Sequence, residues 1–237
     1  MPNEGLKPVQ LRVNSIVDAV EQSLREQILD QDIASGSPVR ETDVARVFNI
    51  ARPTAKAAIE RLVAAGLLRR DAHKSARVPT LSIEDVSDLY GTRILLESAI
   101  CRELAERRTL PAAAVASIAR LQAVPAEAAP REFVEPDIAF HSELTSAAGG
   151  ARLARIHHSL MQEMRLCMAQ VQAHQLIAPE IIVAEHQRIA NAIAAGDGDA
   201  AATTLRSHLD RARNALMAYL QTVEVGPVRP GGSAPPN

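Results

Sequence analysis

The 237-residue sequence has few aromatic residues, few cysteines and no long apolar run. Aromatic side chains make up only 2% of the chain and tryptophan is absent, although hydrophobic residues of all kinds reach 47%. Strands are enriched in aromatic and β-branched residues, so a composition in which alanine and leucine dominate favours a core of packed helices. The length suits one large domain or two small ones.

The two cysteines, Cys101 and Cys167, show neither the spacing of a metal site nor that of a redox motif. A disulfide framework is therefore not expected, and a reducing cytoplasm is the natural compartment. No apolar run approaches the length of a membrane span, and the first residues lack the apolar core of a signal peptide. We expect a cytoplasmic protein with no membrane partner.

Charge is distributed unevenly, although the net charge is only -2. Between residues 40 and 78, nine lysines and arginines stand against four acidic residues, which gives this window a charge of +5 and leaves -7 for the rest. A basic module on an acidic body is typical of a DNA-binding domain joined to a separate sensing domain. Random clustering of charge is the alternative interpretation.

The sequence pattern of the N-terminal third predicts, in order, a helix, a short helix, another full helix and a hairpin. Pro53 suits the first turn of the third helix, and Gly66 suits the position just after its end. The strands of the hairpin are predicted at about residues 67–70 and 75–78. This order of elements is that of a winged helix-turn-helix, which we assign to residues 15–79.

The rest of the chain predicts helices, so the fold class is mainly α, with an N-terminal winged helix-turn-helix and a C-terminal all-helical bundle. The bundle is assigned to residues 83–222, and one of its helices is expected to begin at Pro136 after a loop. Residues 1–14 are interpreted as a flexible arm. The tail at 223–237 is rich in proline and glycine and is predicted to be disordered.

Four side chains in the predicted bundle indicate a metal site. Asp137 and His141 are four residues apart and share one face of a helix, while His186 and His208 lie in two further helical stretches. One carboxylate and three imidazoles form a good ligand set for a divalent transition metal. Zinc is the expected ion, with nickel, manganese, iron or cobalt as alternatives. A buried polar cluster without a metal is the structural alternative.

The other histidines fall outside this pattern. His157 and His158 diverge by about 100° on a helix, so they cannot both point inward. Glu143 and Glu185 are close in sequence to ligand candidates but are expected to point away from the ligand face. The sequence therefore places no general base beside the metal, and we do not expect an enzyme.

Five stretches of the sequence resemble a known family of bacterial regulators. RETDVARVFNIARPTAKAAIERLVAAGLL resembles the winged helix-turn-helix of GntR-type regulators. YGTRILLESAICREL is similar to the opening helix of the FCD ligand-binding domain in the FadR subfamily, and DIAFH, EHQRIANAIAAGD and LRSHL follow its metal-site blocks in order. The resemblance covers about residues 15–221. It implies a transcriptional regulator, most often a repressor, that acts as a homodimer on near-palindromic operator DNA.

The sequence departs from the family at the recognition helix. Ala51 stands where the family usually has a serine, which removes a helix cap worth about 1 kcal/mol. Lys56 keeps a positive charge but lacks the bidentate fork of an arginine. Base preference is therefore expected to differ from that of other members.

The resemblance places the DNA contacts in the recognition helix and the wing. Arg52 and Lys56 are the candidates for contact with base edges, and Thr54 is a further candidate for a DNA contact. The alternative is that several of these side chains are merely solvated surface. The residues predicted to contact phosphates are Arg40, Arg46, Arg69 and Lys74.

An effector anchor is predicted on the opening helix of the bundle. Arg93 follows Tyr90 by three residues, so both side chains occupy one face. An arginine that faces a cavity can bind a carboxylate with two hydrogen bonds, and the resemblance implies that this position binds small organic acids. The alternative is an ion pair between Arg93 and Glu97.

We therefore expect a DNA-binding transcriptional regulator, a repressor by the resemblance, whose operator affinity is controlled by a small carboxylate bound beside a divalent metal. Two alternatives remain open at this point. A direct metal sensor would respond to the ion itself, and a metallohydrolase would use a metal-bound water as nucleophile.

Overall fold

The computed structural model describes residues 16–72 and 74–225. The predicted arm at 1–14 and all but the first residues of the predicted tail lie outside this part of the chain. The elements of the N-terminal third are α1 (Ile16–Leu29), β1 (Pro38–Val39), α2 (Glu41–Val47), α3 (Arg52–Ala64) and β2 (Ala76–Arg77). The remaining elements are α4 (Ile83–Glu106), α5 (Ala112–Gln122), α6 (Pro130–Ala148), α7 (Ala151–Ala173), α8 (Pro179–Ala195) and α9 (Gly198–Val225).

The first three helices enclose a small apolar core, with α1 and α2 both packed on α3. The recognition helix α3 begins at Arg52, and Pro53 occupies its first turn, where a missing N–H costs nothing. Ala51 at the N-cap makes no side-chain hydrogen bond, as its methyl group requires. Gly66 follows the helix with a φ of 73°, a left-handed conformation that favours glycine. The residues of α3 that face the core are Ala55, Ala58, Ile59 and Leu62.

The wing differs from the predicted hairpin. Strand β2 pairs antiparallel with β1, a strand that precedes α2 and that the sequence did not predict. Of the predicted first strand, only Arg69 forms a bridge, which joins it to Arg77. The reason is local, because the backbone N–H groups of Leu67 and Leu68 both donate to the carbonyl of Leu62 and so close the end of α3. These residues cannot extend the ladder at the same time.

The C-terminal domain is a bundle of six helices, which confirms the predicted all-helical class. The long helices α4 and α9 pack side by side, α4 also contacts α6, α7 and α8, and α5 packs on α6 and α8. Ser82 starts α4 with a capping box, because its hydroxyl accepts from the N–H of Asp85 while the Asp85 carboxylate accepts from the N–H of Ser82. No helix in the described part of the chain has both the length and the apolar character of a membrane span.

Two boundaries in the bundle differ from prediction. Helix α6 begins at Pro130 rather than at Pro136, which lies inside it. Phe133 and Val134 are buried on the preceding turn, and their burial offsets the hydrogen bond that Pro136 cannot donate. Helix α9 continues to Val225, beyond the end predicted at residue 222.

Polar and charged contacts join the two domains. The Gln170 amide on α7 donates to the Gln31 side-chain oxygen at 2.8 Å, in the segment that follows α1. Arg131 in the first turn of α6 forms an ion pair with Asp30 in the same segment. The bundle therefore meets the winged helix-turn-helix through the start of α6 and the C-terminal half of α7.

Candidate functional site

The structure brings the four predicted metal ligands together from three helices. Asp137 and His141 lie on α6, His186 on α8 and His208 on α9. One ligand atom from each residue lies within 4.8 Å of the ligand atoms of the other three. All three imidazoles are buried. The side chains thus converge on one point in the interior of the bundle.

Several atoms of this cluster lack a hydrogen bond. Within the described residues, Asp137 Oδ1 and both ring nitrogens of His141 and of His186 are buried without a hydrogen-bond partner. His186 Nε2 lies 3.0 Å from Asp137 Oδ1, but the contact lacks hydrogen-bond geometry. Each such buried polar atom costs about 1–3 kcal/mol unless something satisfies it.

A divalent metal fits this set of donors. An ion bound at about 2.1 Å to each donor needs ligand atoms no more than about 4.2 Å apart, so a contraction of about half an ångström would suffice. The ion would satisfy Asp137 Oδ1 and one ring nitrogen of each histidine, which are ligands that zinc and its neighbours prefer. The residues present therefore fit the ion that the sequence predicts.

The protonation state of the cluster also suits a metal. Burial lowers the pKa of His141 to about 3, although Glu97 opposes the shift. Burial lowers the pKa of His186 as well, against the opposing effect of Asp137. Burial alone would raise the pKa of Asp137, but His186 and His141 bring it below the ordinary range. At neutral pH His141 and His186 are thus neutral and Asp137 is ionised, the forms that ligate metals.

Two glutamates outside the ligand set contact the far side of the ligand imidazoles. The Glu185 carboxylate lies off the ligand face of α8, as expected, but it contacts a ligand candidate from its outer side, 2.9 Å from His208 Nδ1. Its position one residue before His186 turns it toward α9, where His208 lies. Glu97 on α4 lies 2.7 Å from His141 Nδ1. The sequence indicated Glu97 only as a partner of Arg93.

His157 is a further residue that the sequence left out of the site. It is buried on α7, and its Nε2 lies 3.0 Å from the Glu97 carboxylate, while the adjacent His158 is exposed. The divergence of the two rings follows the helical geometry that the sequence indicated. No local pattern distinguishes His157 from its neighbour, because its partner lies on α4, 60 residues away.

A small cavity adjoins the cluster of four predicted metal ligands. Tyr90, Arg93, Asp137 and His208 line it together with mostly apolar side chains. Its volume of about 30 Å³ is enough for about two water molecules. The predicted effector residues and two predicted metal ligands therefore face one space. Apolar side chains that complete the wall include Phe133, Val134, Met168, Val171, Ile177 and Leu209.

Arg93 forms the ion pair that its sequence position allowed, and it also lies beside the cavity. Its Nε donates to Glu97 Oε1 at 3.0 Å, which is the predicted ion pair. Its Nη2 is buried and has no hydrogen-bond partner among the described residues. A buried guanidinium with one unpaired nitrogen beside a cavity is suited to receive an anionic oxygen.

The predicted DNA-contacting side chains lie on one domain and are accessible. Thr54 is half-buried, and the six basic residues are exposed. Arg52 approaches Glu41 only to 3.9 Å, a separation at which an exposed pair contributes little. Four of the basic residues lie outside the recognition helix, on α2, its N-cap and the wing, and these are Arg40, Arg46, Arg69 and Lys74.

Two other basic residues of this domain are engaged within the domain. Arg61 pairs with Asp18 and Glu21 on α1. Arg70 pairs with Glu41 and with Glu60. The net charge of residues 40–78 therefore suggests more side chains for DNA contact than are available.

A winged helix-turn-helix with exposed basic residues, joined to a helical bundle with a small cavity beside Arg93, defines a two-domain DNA-binding regulator. The FCD-domain family matches residues 88–211, and the family described as bacterial regulatory proteins, gntR family, matches residues 16–78. Since the first match alone covers more than half of the chain, the protein belongs to the GntR family of bacterial regulators and carries a C-terminal FCD domain.

Relatives and a solved structure agree with this assignment. The chain is 27% identical over 207 residues to the transcriptional regulator BphR of Paraburkholderia xenovorans, covering 84% of each chain. It is 26% identical over 229 residues to the repressor NanR of Cronobacter sakazakii, covering 87% of this chain and 86% of NanR. A GntR regulator from a Rhodococcus species has the same fold, with a TM-score of 0.70, 24% identity, and coverage of 85% of this chain and 97% of the other. These matches are transcriptional regulators and not enzymes.

Proposed function

We propose that the protein is a repressor of the FadR subfamily whose affinity for operator DNA is controlled by a small carboxylate bound beside a divalent metal ion. The observation that supports the proposal is the cavity that Arg93 shares with Asp137 and His208. We propose repression rather than activation because the relative NanR is named as a transcriptional repressor. The proposed setting is the bacterial cytoplasm, with the protein on the nucleoid when it is bound to DNA.

Asp137, His141, His186 and His208 would hold the ion, with zinc preferred and nickel, manganese, iron or cobalt as alternatives. When bound, the ion supplies a Lewis-acidic position for a carboxylate oxygen. Arg93 would bind the second oxygen through its unpaired Nη2, and the Tyr90 ring would form the adjoining wall.

The charges around the cavity favour a ligand with a single negative charge. A divalent ion with Asp137 leaves one positive charge, because Arg93 and Glu97 cancel each other and Glu185 is paired with Arg211. One carboxylate neutralises that charge. A second carboxylate would meet the apolar part of the wall, where an unpaired charge is costly. Monocarboxylates are therefore expected to bind more tightly than dicarboxylates.

The small volume of the cavity suggests how a bound acid would change the position of the DNA-binding domain. A volume of about 30 Å³ holds a carboxylate group and little more, so a larger acid must displace the walls. Phe133 on α6 and Met168 on α7 belong to those walls. The same two helices carry Arg131 and Gln170, which contact the segment after α1. Displacement of α6 or α7 would thus shift the winged helix-turn-helix, and the relative placement of two such domains in a homodimer sets operator affinity.

A thermal-shift screen tests the ligand site. Purified full-length protein is melted with short mono-, di- and hydroxycarboxylates, before and after removal of metal with a chelator. We expect chelation to lower the melting temperature, because the unpaired ligand atoms lose their partner, and we expect a monocarboxylate to raise it only in the metal-loaded form. Unchanged melting after chelation, with no metal found by elemental analysis, would contradict the metal site.

A further inference from the structure

One buried carboxylate in the bundle, that of Glu97, contacts three other buried side chains. Glu97 Oε1 accepts from Arg93 Nε at 3.0 Å and lies 3.0 Å from His157 Nε2. Glu97 Oε2 lies 2.7 Å from His141 Nδ1, although neither atom has a hydrogen-bond partner of good geometry among the described residues. All four side chains are at least 97% buried. Glu97 therefore contacts the proposed carboxylate anchor and a proposed metal ligand at the same time, without being a ligand itself.

A second carboxylate repeats this relationship on the other side of the cluster. Glu185 Oε2 lies 2.9 Å from His208 Nδ1, and Glu185 Oε1 accepts from Arg211 Nε at 2.9 Å. Like Glu97, this glutamate is buried, contacts a ligand imidazole at Nδ1 and is balanced by an arginine. The third imidazole is held differently, because the ring of Phe140 stacks on His186 with ring centroids 4.1 Å apart.

We propose that Glu97 and Glu185 are positioning residues of the metal centre, an inference that rests on the proposed metal site. An imidazole whose Nδ1–H donates to a carboxylate is fixed in one tautomer, so its Nε2 lone pair is available to a metal. The hydrogen bond also fixes the ring plane and increases the basicity of Nε2. Glu185 would do this for His208 through the hydrogen bond already present, and Glu97 would do it for His141 after a small reorientation of the 2.7 Å contact.

The ion pair between Arg93 and Glu97 agrees with this role. Arg93 Nε donates to Glu97 Oε1 at 3.0 Å and so favours the ionised carboxylate inside the bundle. A carboxylate that stays ionised can accept from three donors at once, whereas a protonated one would compete as a donor. Arg93 thus keeps Glu97 in the form that orients His141, in addition to facing the cavity.

The test measures metal affinity and coordination in full-length protein. Zn²⁺ affinity is determined by competition with a chromophoric chelator for wild type, Glu97→Gln and Glu185→Gln. Glutamine keeps the shape and an acceptor oxygen but removes the charge, so we expect each variant to lose about 10- to 100-fold in affinity. Glu106→Gln on α4 and Glu180→Gln on α8 are matched controls at exposed positions, and their affinities should equal that of wild type.

A second readout separates positioning from a role in folding. The visible absorption of bound Co²⁺ reports the geometry and strength of the ligand field. We expect its bands to change in Glu97→Gln and Glu185→Gln, whereas loss of fold stability alone would lower the melting temperature of the metal-free protein and leave the bands unchanged. Unchanged bands together with wild-type Zn²⁺ affinity in both variants would overturn the inference.

Failure of the metal site itself gives a different result. If wild type binds neither Zn²⁺ nor Co²⁺, the metal part of the proposed function is wrong, and the positioning role is wrong with it. If wild type binds and both variants match it, only the positioning role is overturned. Should Glu97→Gln fail to fold because Arg93 is left buried and unpaired, the double variant Arg93→Met/Glu97→Gln removes both charges and carries the same prediction for Zn²⁺ affinity.

Discussion

Among single residues, burial keeps the imidazoles of His141 and His186 neutral in the metal-free protein. His141 has a folded-state pKa of about 3, well below the value of about 6.5 expected for an unfolded chain. Between these values the unfolded state binds the additional proton, so the free energy of unfolding falls as the pH falls through this window. The depressed pKa values of Asp137 and Glu97 add a loss of the same sign at still lower pH.

Acid should therefore destabilise the metal-free protein from about pH 6.5 downward. Chemical denaturation in the presence of a chelator, repeated at intervals from pH 8 to pH 4, measures this dependence. The variant His141→Phe should show a weaker dependence on pH, whereas substitution of the exposed His158 with glutamine should preserve it. A denaturation midpoint that stays constant between pH 7 and pH 5 would argue against a buried neutral imidazole at this position.

The residues of the site were predictable from sequence to different degrees. Asp137 and His141 share a helix face by their spacing, and helical stretches around His186 and His208 indicated that all four could face one interior. The contacts of Glu97 and His157 could not be predicted, because they depend on how α4 and α7 meet in space. An acidic residue four positions after Arg93 is explained equally well by an ion pair, which the structure also contains.

At the scale of elements, the recognition helix and the wing are expected to contribute differently to operator binding. Lys56 on α3 is exposed and lies one turn after Arg52, so both face the same side of the helix. Replacing Lys56 with alanine should cost about 1–3 kcal/mol on the operator and relax the preference at one base pair. Replacing Lys74 in the wing should weaken binding to all sequences and reduce the slope of log affinity against log salt by about 1.

Fluorescence anisotropy with operator and scrambled duplexes at several salt concentrations distinguishes the two effects. Arg152→Ala, at an exposed position at the start of α7, is the matched control for loss of a positive charge. Equal losses on operator and scrambled DNA for Lys56→Ala would show that this side chain contacts phosphate and not a base edge.

The boundaries of the elements show where local sequence is insufficient. Helix α3 follows its signals closely, because Pro53 and Gly66 act within one turn of its ends. Helix α6 does not, since the burial of Phe133 and Val134 extends it in front of a proline that would otherwise mark its start. Strand β1 was missed because two residues carry no periodicity.

At the scale of the whole molecule, the structure combines a DNA-binding domain with a bundle whose cavity walls lead to the domain boundary. The amide contact from Gln170 to Gln31 and the ion pair from Arg131 to Asp30 lie at that boundary. In the proposed function, a ligand in the cavity would act on the winged helix-turn-helix through α6 and α7. The mainly α class and the two-domain order were predictable, because helical periodicity and the charge of one window extend over many residues.

The proposed function requires that a carboxylate bound beside the metal ion changes the affinity of the protein for operator DNA. The most direct measurement is the affinity of full-length protein for DNA upstream of its own gene, by fluorescence anisotropy, with and without the acid that the thermal-shift screen selects. Metal-loaded protein should lose at least about 5-fold in operator affinity when the acid is added. Chelated protein and the His186→Ala variant should not respond, while His158→Ala should respond as wild type does. Equal release of DNA from metal-loaded and chelated protein would contradict the claim, and affinity that follows free metal without any acid would identify the ion itself as the signal.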